Sequence, residues 1–290
     1  MDIAEGLGGV LIMEDLGNLP PANWRLLNTG VSDGATNMAI DEAIIQSVAE
    51  DRSPPTLRFY GWEPPCVSVG YSQSVRKEID LERCRERGYT WVRRPTGGRA
   101  ILHIDELSYS VVAPQGEARV AGDIITSYRR LSRGLGEGLR SLHGGVVQAD
   151  RMETEGAVEN SAACFDVPSH YEVTAYGRKL IGSAQVRRNR VVLQHGALPL
   201  EGDVSRLVDV LALPEPARVA LRGKLRERAI ALDEVVGRVV PFDEVAEALT
   251  QGFRSTLNLE FTSEELPPYE REAAERLTSR YTGDEWTHVR

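Results

Sequence analysis

The order of its secondary-structure signals is the feature that most restricts how this chain can fold. Short β-rich runs alternate with three helical segments up to residue 200, and the pattern from residue 203 onward is helical. Strands followed by a run of helices are typical of α+β proteins. We therefore predict a mainly antiparallel sheet with flanking helices and a helical C-terminal part. Strands are predicted over residues 24–27, 56–62, 67–71, 90–93, 100–102, 107–113, 166–176, 178–186 and 191–198.

The clearest helix covers residues 124–142, where apolar residues recur every three or four positions and Gly144-Gly145 ends the pattern. A second helix is predicted over residues 36–50, with Asp41 and Glu42 near its start, where the helix dipole favours acidic side chains. Further helices are predicted over residues 80–87, 203–211, 216–231, 241–256 and 263–281.

The composition is that of a soluble globular protein, with 41% hydrophobic and 27% charged residues among 290. We predict a flexible extension over residues 1–22, an α+β domain over 23–200, and a helical part over 201–290 that packs on the same domain. The N-terminus lacks the basic segment of a signal peptide, and no apolar run approaches the roughly 20 residues that span a bilayer. The net charge of −9 argues against nonspecific binding to nucleic acid.

The chain has three cysteines, Cys66, Cys84 and Cys164, at irregular spacing. They form neither a disulfide framework nor a metal-ligand set, so a reducing, cytoplasmic compartment is expected. A lone cysteine beside alanines, such as Cys164, is more often a small buried hydrophobic residue than a nucleophile. A nearby cation can nevertheless make such a thiol reactive.

A candidate for that cation is Lys179, since only three of the 34 lysine and arginine residues are lysines. It lies between Gly177 and Gly182, fifteen residues after Cys164. Lysine has a compact charge and loses its proton more readily on burial than arginine does. Two interpretations stand: Lys179 is the exposed tip of a hairpin, or it activates Cys164.

A second candidate site is the loop over residues 93–103. Paired glycines between arginines form a tight turn whose backbone N–H groups can approach an anionic or carbonyl-bearing ligand. The alternative is a solvated basic hairpin turn. His103 is either a general base or a structural residue that lines a pocket, and we favour the second. The arginines and glycines of this loop are Arg93, Arg94, Gly97, Gly98 and Arg99.

Together these segments resemble the superfamily of lipoate-protein ligase A and biotin ligase, and within it the ligase-A-like octanoyltransferases. Those transferases have a cysteine at the position of Cys164 and a lysine at the position of Lys179. Their sequence is also similar to Gly182-Ser183-Ala184-Gln185, where ligases more often have Gly-Asn-Ala. The resemblance covers residues 24–290, and its matching segments are residues 24–29, 37–43, 58–62, 68–73, 93–103, 161–165, 177–185, 193–196 and 280–286.

The resemblance implies a class II synthetase or biotin ligase-like catalytic domain and a two-step acyl transfer in lipoate biosynthesis. Cys164 would take octanoyl from octanoyl-acyl carrier protein and form a thioester intermediate, with Lys179 as the activating cation. A lysine of a lipoyl domain, in particular that of the glycine-cleavage H protein, would accept the acyl group. Neither a metal nor a nucleotide cofactor is implied. The substrate site would comprise Arg93, Gly97, Gly98, Arg99, His103, Gly182, Ser183 and Ala184.

Three other activities share this pattern. An ATP-dependent lipoate-protein ligase adenylates the free acid and needs no cysteine, and an amidotransferase moves octanoyl between lipoyl carrier proteins. A non-catalytic relative would only bind the carrier domain. The presence of Cys164 argues against the ligase and the non-catalytic relative, and it does not separate the transferase from the amidotransferase.

Overall fold

The computed structural model describes residues 19–148 and 172–287. Its strands are β1 (Ala22–Ser32), β2 (Thr56–Trp62), β3 (Cys66–Val69), β4 (Thr90–Arg93), β5 (Ile101–His103), β6 (Glu106–Pro114), β7 (Val146–Gln148), β8 (Val173–Ala175), β9 (Arg178–Lys179), β10 (Gly182–Arg188), β11 (Val191–Pro199) and β12 (Leu259–Glu264). Its helices are α1 (Gly34–Ala49), α2 (Val75–Glu78), α3 (Leu81–Glu86), α4 (Ile124–Leu142), α5 (Glu215–Arg228), α6 (Leu232–Val236), α7 (Phe242–Leu257), α8 (Pro268–Thr282) and α9 (Asp284–Thr287).

A six-stranded sheet with the order β10-β11-β6-β2-β1-β12 organises the fold. The strands from β10 to β2 pair antiparallel, whereas β1 pairs in parallel with both β2 and β12. Parallel neighbours need a crossover connection, and α1 supplies it between β1 and β2. The predicted α+β class with a mainly antiparallel sheet is confirmed, and the two parallel pairs were not predicted.

The two faces of this sheet are covered by different helices. Buried residues of α1 and α8 pack on one face, and those of α4 and α7 pack on the other. A smaller sheet with the order β4-β3-β5 has its own apolar cluster, shared with α3 and α5. A third sheet, β7-β8-β9, presents the buried Val146, Val173 and Ala175 to the α4 side. Residues of the central sheet and of the β4-β3-β5 sheet line a common cleft between the two sheets.

Helix α1 corrects one prediction. It begins at Gly34, and the side chain of Asp33 caps it by accepting a hydrogen bond from the Thr36 amide at 3.0 Å. Asp41 and Glu42 are therefore not in the first turn but in the buried middle of the helix. Their burial requires partners, which the helix-dipole interpretation did not provide. The helix over residues 124–142, by contrast, is confirmed as Ile124–Leu142.

Other boundaries also differ. The helix predicted over 263–281 starts at Pro268, because residues 259–264 form β12 at the edge of the central sheet. The segment predicted as a helix over 203–211 is a 3-10 helix over Arg206–Val210. The strand predicted over 178–186 is divided into β9 and β10, and most of the strand predicted over 166–176 lies outside the described residues. Residues 19–22, assigned to the extension, reach the fold: Asn258 Nδ2 donates to the Leu19 carbonyl at 2.8 Å.

The contact between α4 and α7 depends on glycine. A Cβ atom on Gly138 would lie 2.7 Å from the Leu249 Cα atom, and backbone atoms cannot move aside as a flexible side chain can. Gly138→Ala is therefore expected to lower the free energy of unfolding by about 1–3 kcal/mol, measured by urea denaturation. Gly223→Ala in α5 is the matched control, because nothing lies within 4 Å of the added Cβ. It is expected to raise the unfolding free energy by about 0.5–1 kcal/mol, and equal effects of the two changes would contradict the packing interpretation.

Candidate active site

A cleft lies between the central sheet and the β4-β3-β5 sheet, and its empty space, including the part open to solvent, is about 370 Å³. Most of the wall is apolar or aromatic, with a few convergent polar groups, which suits an acyl chain that ends in a polar reacting group. The lining residues are Met38, Tyr60, Trp62, Ser68, Arg94, Ile101, His103, Ser108, Gly182, Ser183, Ala184, His195, Gly196 and Ala197.

The cleft brings together two segments that are distant in the sequence. His103 comes from β5, and Gly182, Ser183 and Ala184 come from the start of β10, the edge strand of the central sheet. Ser183 Oγ is hydrogen-bonded to the Tyr109 hydroxyl at 2.7 Å, which fixes the strand start against β6. These four predicted substrate-site residues therefore share one cavity.

His103 is held on three sides. Its Nδ1 atom is 2.8 Å from Glu106 Oε1, its Nε2 atom is 2.7 Å from Ser68 Oγ, and its ring stacks on Trp62 at a centroid distance of 3.9 Å. Because both ring nitrogens have protein partners, His103 orients the cleft wall instead of offering a free base. This geometry agrees with the structural interpretation of this histidine.

Arg93 does not line the cleft. Its guanidinium donates to four backbone carbonyls, those of Gly70 and Tyr71 on one side and of Trp286 and Thr287 on the other. Arg93 therefore ties β4 to the C-terminal α9, and its predicted contact with substrate is not what the geometry favours. Sequence reasoning gave it that role because it could not distinguish the two adjacent arginines.

Arg94 is the arginine that reaches the cleft. It donates to Ser68 Oγ at 3.0 Å, and to the carbonyls of Gly97 and Arg99 at 2.8 and 2.7 Å. These hydrogen bonds hold the turn of residues 97–99 against the Arg94 side chain. Gly97, Gly98 and Arg99 form the turn beside the cleft and are not among its lining residues. Gly98 adopts a φ of +91°, which favours glycine at this point.

A buried polar network supports the loop from below, and sequence reasoning did not identify it. His195 Nε2 is 2.6 Å from Thr96 Oγ1, and His195 Nδ1 is 3.5 Å from Asp41 Oδ2. Burial lowers the pKa of His195 although Asp41 opposes this, so the imidazole is neutral near pH 7. The one sequence signal for this network was the family resemblance, which includes the Gln194-His195-Gly196 segment.

Asp41 also receives Arg58, whose Nη1 atom is 2.7 Å from Asp41 Oδ1. Both side chains are fully buried. Burial by itself would raise the pKa of Asp41, but the Arg58 charge and the contact with His195 together lower it. Asp41 is thus an ionised carboxylate inside the protein, and it links α1, β2 and β11 beneath the cleft.

Lys179 is buried, with 3% of its side chain exposed, so the hairpin-tip interpretation is wrong. The tip is formed by Tyr176 and Gly177, both with positive φ. Lys179 Nζ donates a hydrogen bond to the Glu172 carboxylate, whose side chain has no exposed surface. Lys179 lies three residues before Gly182, where the cleft wall begins. Cys164 and its motif over residues 161–165 lie outside the described residues.

The two described cysteines are poor nucleophiles. Burial raises the pKa of the Cys66 thiol to about 12 and that of the Cys84 thiol to about 11. Both therefore stay protonated near pH 7, where thiolate chemistry requires a lowered pKa. In residues 19–148 and 172–287, no group of three or more histidine, cysteine or acidic side chains is arranged to hold a metal ion. Among the helices described, none combines the length and apolar character needed to cross a membrane.

Comparison with known proteins agrees with this architecture. Residues 33–254 match the lipoyl protein ligase A/B catalytic domain. Octanoyltransferase LipM of Kyrpidia tusciae is 46% identical over 270 residues, which cover 91% of this chain and 98% of that protein. Octanoyltransferase LipM of Bacillus subtilis is 36% identical over 273 residues, covering 92% and 98% respectively.

Solved structures show the same fold. A bi-partite lipoate protein ligase from Thermoplasma acidophilum, studied with its E2 lipoyl domain, has a TM-score of 0.75 at 28% identity, covering 92% of this chain and 96% of that one. Lipoate-protein ligase A bound with ATP has a TM-score of 0.74 at 27% identity, covering 91% and 98%. The chain therefore belongs to the lipoyl protein ligase A/B catalytic domain family. Within that family it is an acyltransferase enzyme of the octanoyltransferase type.

Proposed function

We propose that this enzyme moves an octanoyl group from octanoyl-acyl carrier protein to a lysine of a lipoyl-carrier protein, through a thioester on Cys164. The observation that carries the proposal is the 46% identity to an octanoyltransferase over 98% of that protein's length. The largely apolar lining of the cleft suits contact with an acyl chain, and the two described cysteines are too strongly protonated to compete with Cys164. A cysteine nucleophile fits the reducing cytoplasm, where thiols persist.

In the first step the Cys164 thiolate attacks the donor thioester, a new carbon–sulfur bond forms, and the bond to the carrier-protein sulfur breaks. The departing thiolate takes a proton from the Lys179 ammonium. In the second step a neutral acceptor amine forms the amide, the Cys164 thiolate leaves, and the amine proton passes to Lys179. Both groups return to their initial states, and Lys179 also stabilises the oxyanion of each tetrahedral intermediate.

The remaining site residues have supporting roles in this proposal. His103, Gly182, Ser183 and Ala184 form the walls against which the acyl chain lies. Gly97, Gly98 and Arg99 form the turn at the side of the cleft, and Arg94 holds that turn in place. Arg93 contributes indirectly, because it anchors β4 to α9.

The acceptor assignment draws on a structural neighbour, an archaeal lipoate protein ligase described together with its E2 lipoyl domain. We propose a lipoyl domain, in particular the glycine-cleavage H protein, as the acceptor. With a net charge of −9 on this chain, long-range attraction to an acidic carrier domain is unfavourable, so docking has to rely on local complementary contacts.

The activity test uses octanoyl-acyl carrier protein and apo H protein without ATP, followed by intact mass spectrometry of all three proteins. The expected result is one octanoyl group on the H protein and a transient octanoyl adduct on the enzyme. A parallel reaction contains ATP, magnesium and free octanoate, because a neighbouring structure is a ligase bound with ATP. Transfer in that reaction alone would identify a ligase. A third reaction offers octanoylated H protein and a second apo lipoyl domain, and transfer only there would identify an amidotransferase.

A further inference from the structure

The β8–β9 hairpin fixes the position of Lys179. Thr174 pairs with Lys179 and Ala175 pairs with Arg178 across the two strands. The amides of Leu180 and Ile181 both donate to the Val173 carbonyl, at 2.9 and 3.3 Å. The Lys179 carbonyl accepts from the Ile230 amide at 3.0 Å, so the strand is held from its other side as well.

Glu172 lies on the same face of this hairpin as Lys179. It is two residues before Thr174, and side chains two positions apart along a strand share a face. Thr174 is the cross-strand partner of Lys179, so Glu172 is diagonal to Lys179. A long side chain such as lysine can reach a residue in that diagonal position. The Lys179 ammonium donates to the Glu172 carboxylate accordingly, and both side chains are buried.

The type of cation distinguishes this pair from two other buried ion pairs. Arg25 meets Glu270 at 2.9 Å and Arg58 meets Asp41 at 2.7 Å, and both use a guanidinium that keeps its charge. A lysine ammonium in a buried site would favour losing its proton, and a neighbouring carboxylate opposes that loss. A buried ion pair by itself is weak support for stability, so a purely structural reason for this lysine is not compelling.

Other charged groups near the hairpin have different positions. The Arg178 Nη1 atom is 3.2 Å from Glu234 Oε2 of α6. The Glu234 carboxylate is therefore paired with Arg178, the residue next to Lys179. Arg228, half-buried at the end of α5, is the cation next to Ala229, which forms a β-bridge with Lys179. A positive charge there would favour a neutral Lys179, and the Glu172 carboxylate opposes that effect.

We propose that Glu172 is a positioning residue for acyl transfer, which holds the Lys179 ammonium in place and keeps it protonated between turnovers. The proposal rests on the proposed function, because Lys179 matters only if the acyl group passes through Cys164. Glu172 makes Lys179 the proton donor in the resting enzyme. After Lys179 has given its proton to the leaving thiolate, the same carboxylate favours the return of a proton from the acceptor amine.

The test is the pH dependence of octanoyl-adduct formation on Glu172→Gln, followed by mass spectrometry from about pH 6 to pH 10. Without the carboxylate, Lys179 loses its proton at lower pH. The alkaline limb of the pH–rate profile, where Lys179 loses its proton, should therefore move to lower pH by about 1–3 units. The acid limb should move the same way, because a negative charge that disfavours the Cys164 thiolate has been removed. A structural role alone would lower the rate without shifting either limb.

Glu270→Gln is the matched control, since it removes the carboxylate of a buried arginine pair, the one with Arg25. It is expected to lower stability and leave both limbs unchanged. Glu172→Asp keeps the charge on a shorter side chain, so it should retain both limbs and lose rate several-fold, and this variant can still contradict the proposal if the glutamine variant does not fold. Unshifted limbs in a folded glutamine variant, or a wild-type rate in the aspartate variant, would overturn the proposal. Failure of the wild-type enzyme to form any adduct would instead reject the proposed function.

Discussion

Cys164→Ala is expected to reduce octanoyl transfer from the carrier protein by at least about 1,000-fold and to abolish the covalent adduct. The alanine removes the sulfur that accepts the acyl group, so the reaction loses its covalent intermediate. The two described thiols cannot replace it, because burial raises the pKa of Cys66 to about 12 and that of Cys84 to about 11. The measurement is the initial rate of H-protein octanoylation, together with intact mass of the enzyme after mixing with donor alone.

The matched control is the double variant Cys66→Ala, Cys84→Ala, which leaves Cys164 as the sole cysteine of the chain. Neither replaced residue lines the cleft, so this variant should still form the adduct. Peptide mapping should then place the octanoyl group on Cys164. Transfer by Cys164→Ala at a rate near that of the wild type would reject the thioester mechanism. An octanoyl adduct on another residue of that variant would reject it as well.

Local patterns predicted the elements whose determinants are local. Helix α4 was predicted with its observed ends because its apolar spacing and its terminal glycines are both contained in the segment itself. Helix α7, observed over Phe242–Leu257, was predicted within one residue at each end. The pairing of β12 with β1 could not be predicted, because the two strands lie at opposite ends of the chain. The local sequence of either strand does not indicate which distant strand it pairs with.

The candidate site shows the same limit. The motif resemblance identified four residues that the structure places in one cleft, namely His103, Gly182, Ser183 and Ala184. It assigned a substrate contact to Arg93 and none to Arg94, whereas the cleft is lined by Arg94 and not by Arg93. The helix pattern placed Asp41 near the start of a helix, whereas it lies in the buried middle of α1. Its partners Arg58 and His195 come from two different strands, and only the folded sheet brings them together.

Arg58→Met is expected to lower the free energy of unfolding by about 3–5 kcal/mol at pH 7. The Arg58 guanidinium donates to Asp41 Oδ1 at 2.7 Å and to Asn37 Oδ1 at 2.8 Å, and its Cζ atom lies 3.9 Å from the Tyr60 ring centroid. Methionine retains much of the volume but leaves a fully buried carboxylate without its cation. Because the free energy of unfolding of a typical protein is about 5–15 kcal/mol, this loss would be a large part of the total stability.

The loss should also depend on pH. In the wild type the pKa of Asp41 is lowered in the folded state, so its contribution is present above the ordinary carboxyl range and is lost as pH falls through the lowered value. Without Arg58, burial raises this pKa, so Asp41 in the variant takes up a proton at higher pH than in the unfolded chain. The difference in unfolding free energy between wild type and variant should therefore shrink as the pH is lowered from 7 to about 4, near the ordinary carboxyl pKa.

Urea denaturation at both pH values tests this expectation, with two comparisons. Arg52→Met is the matched surface change: Arg52 meets Glu50 at 3.3 Å with both side chains about half exposed, and its loss should cost at most about 1 kcal/mol. The double variant Arg58→Met, Asp41→Asn removes the buried charge together with its cation, so it should be more stable at pH 7 than Arg58→Met alone. If the double variant were the less stable of the two, the unpaired Asp41 charge would not be the source of the loss. The Asn37 and Tyr60 contacts of Arg58 would then account for it.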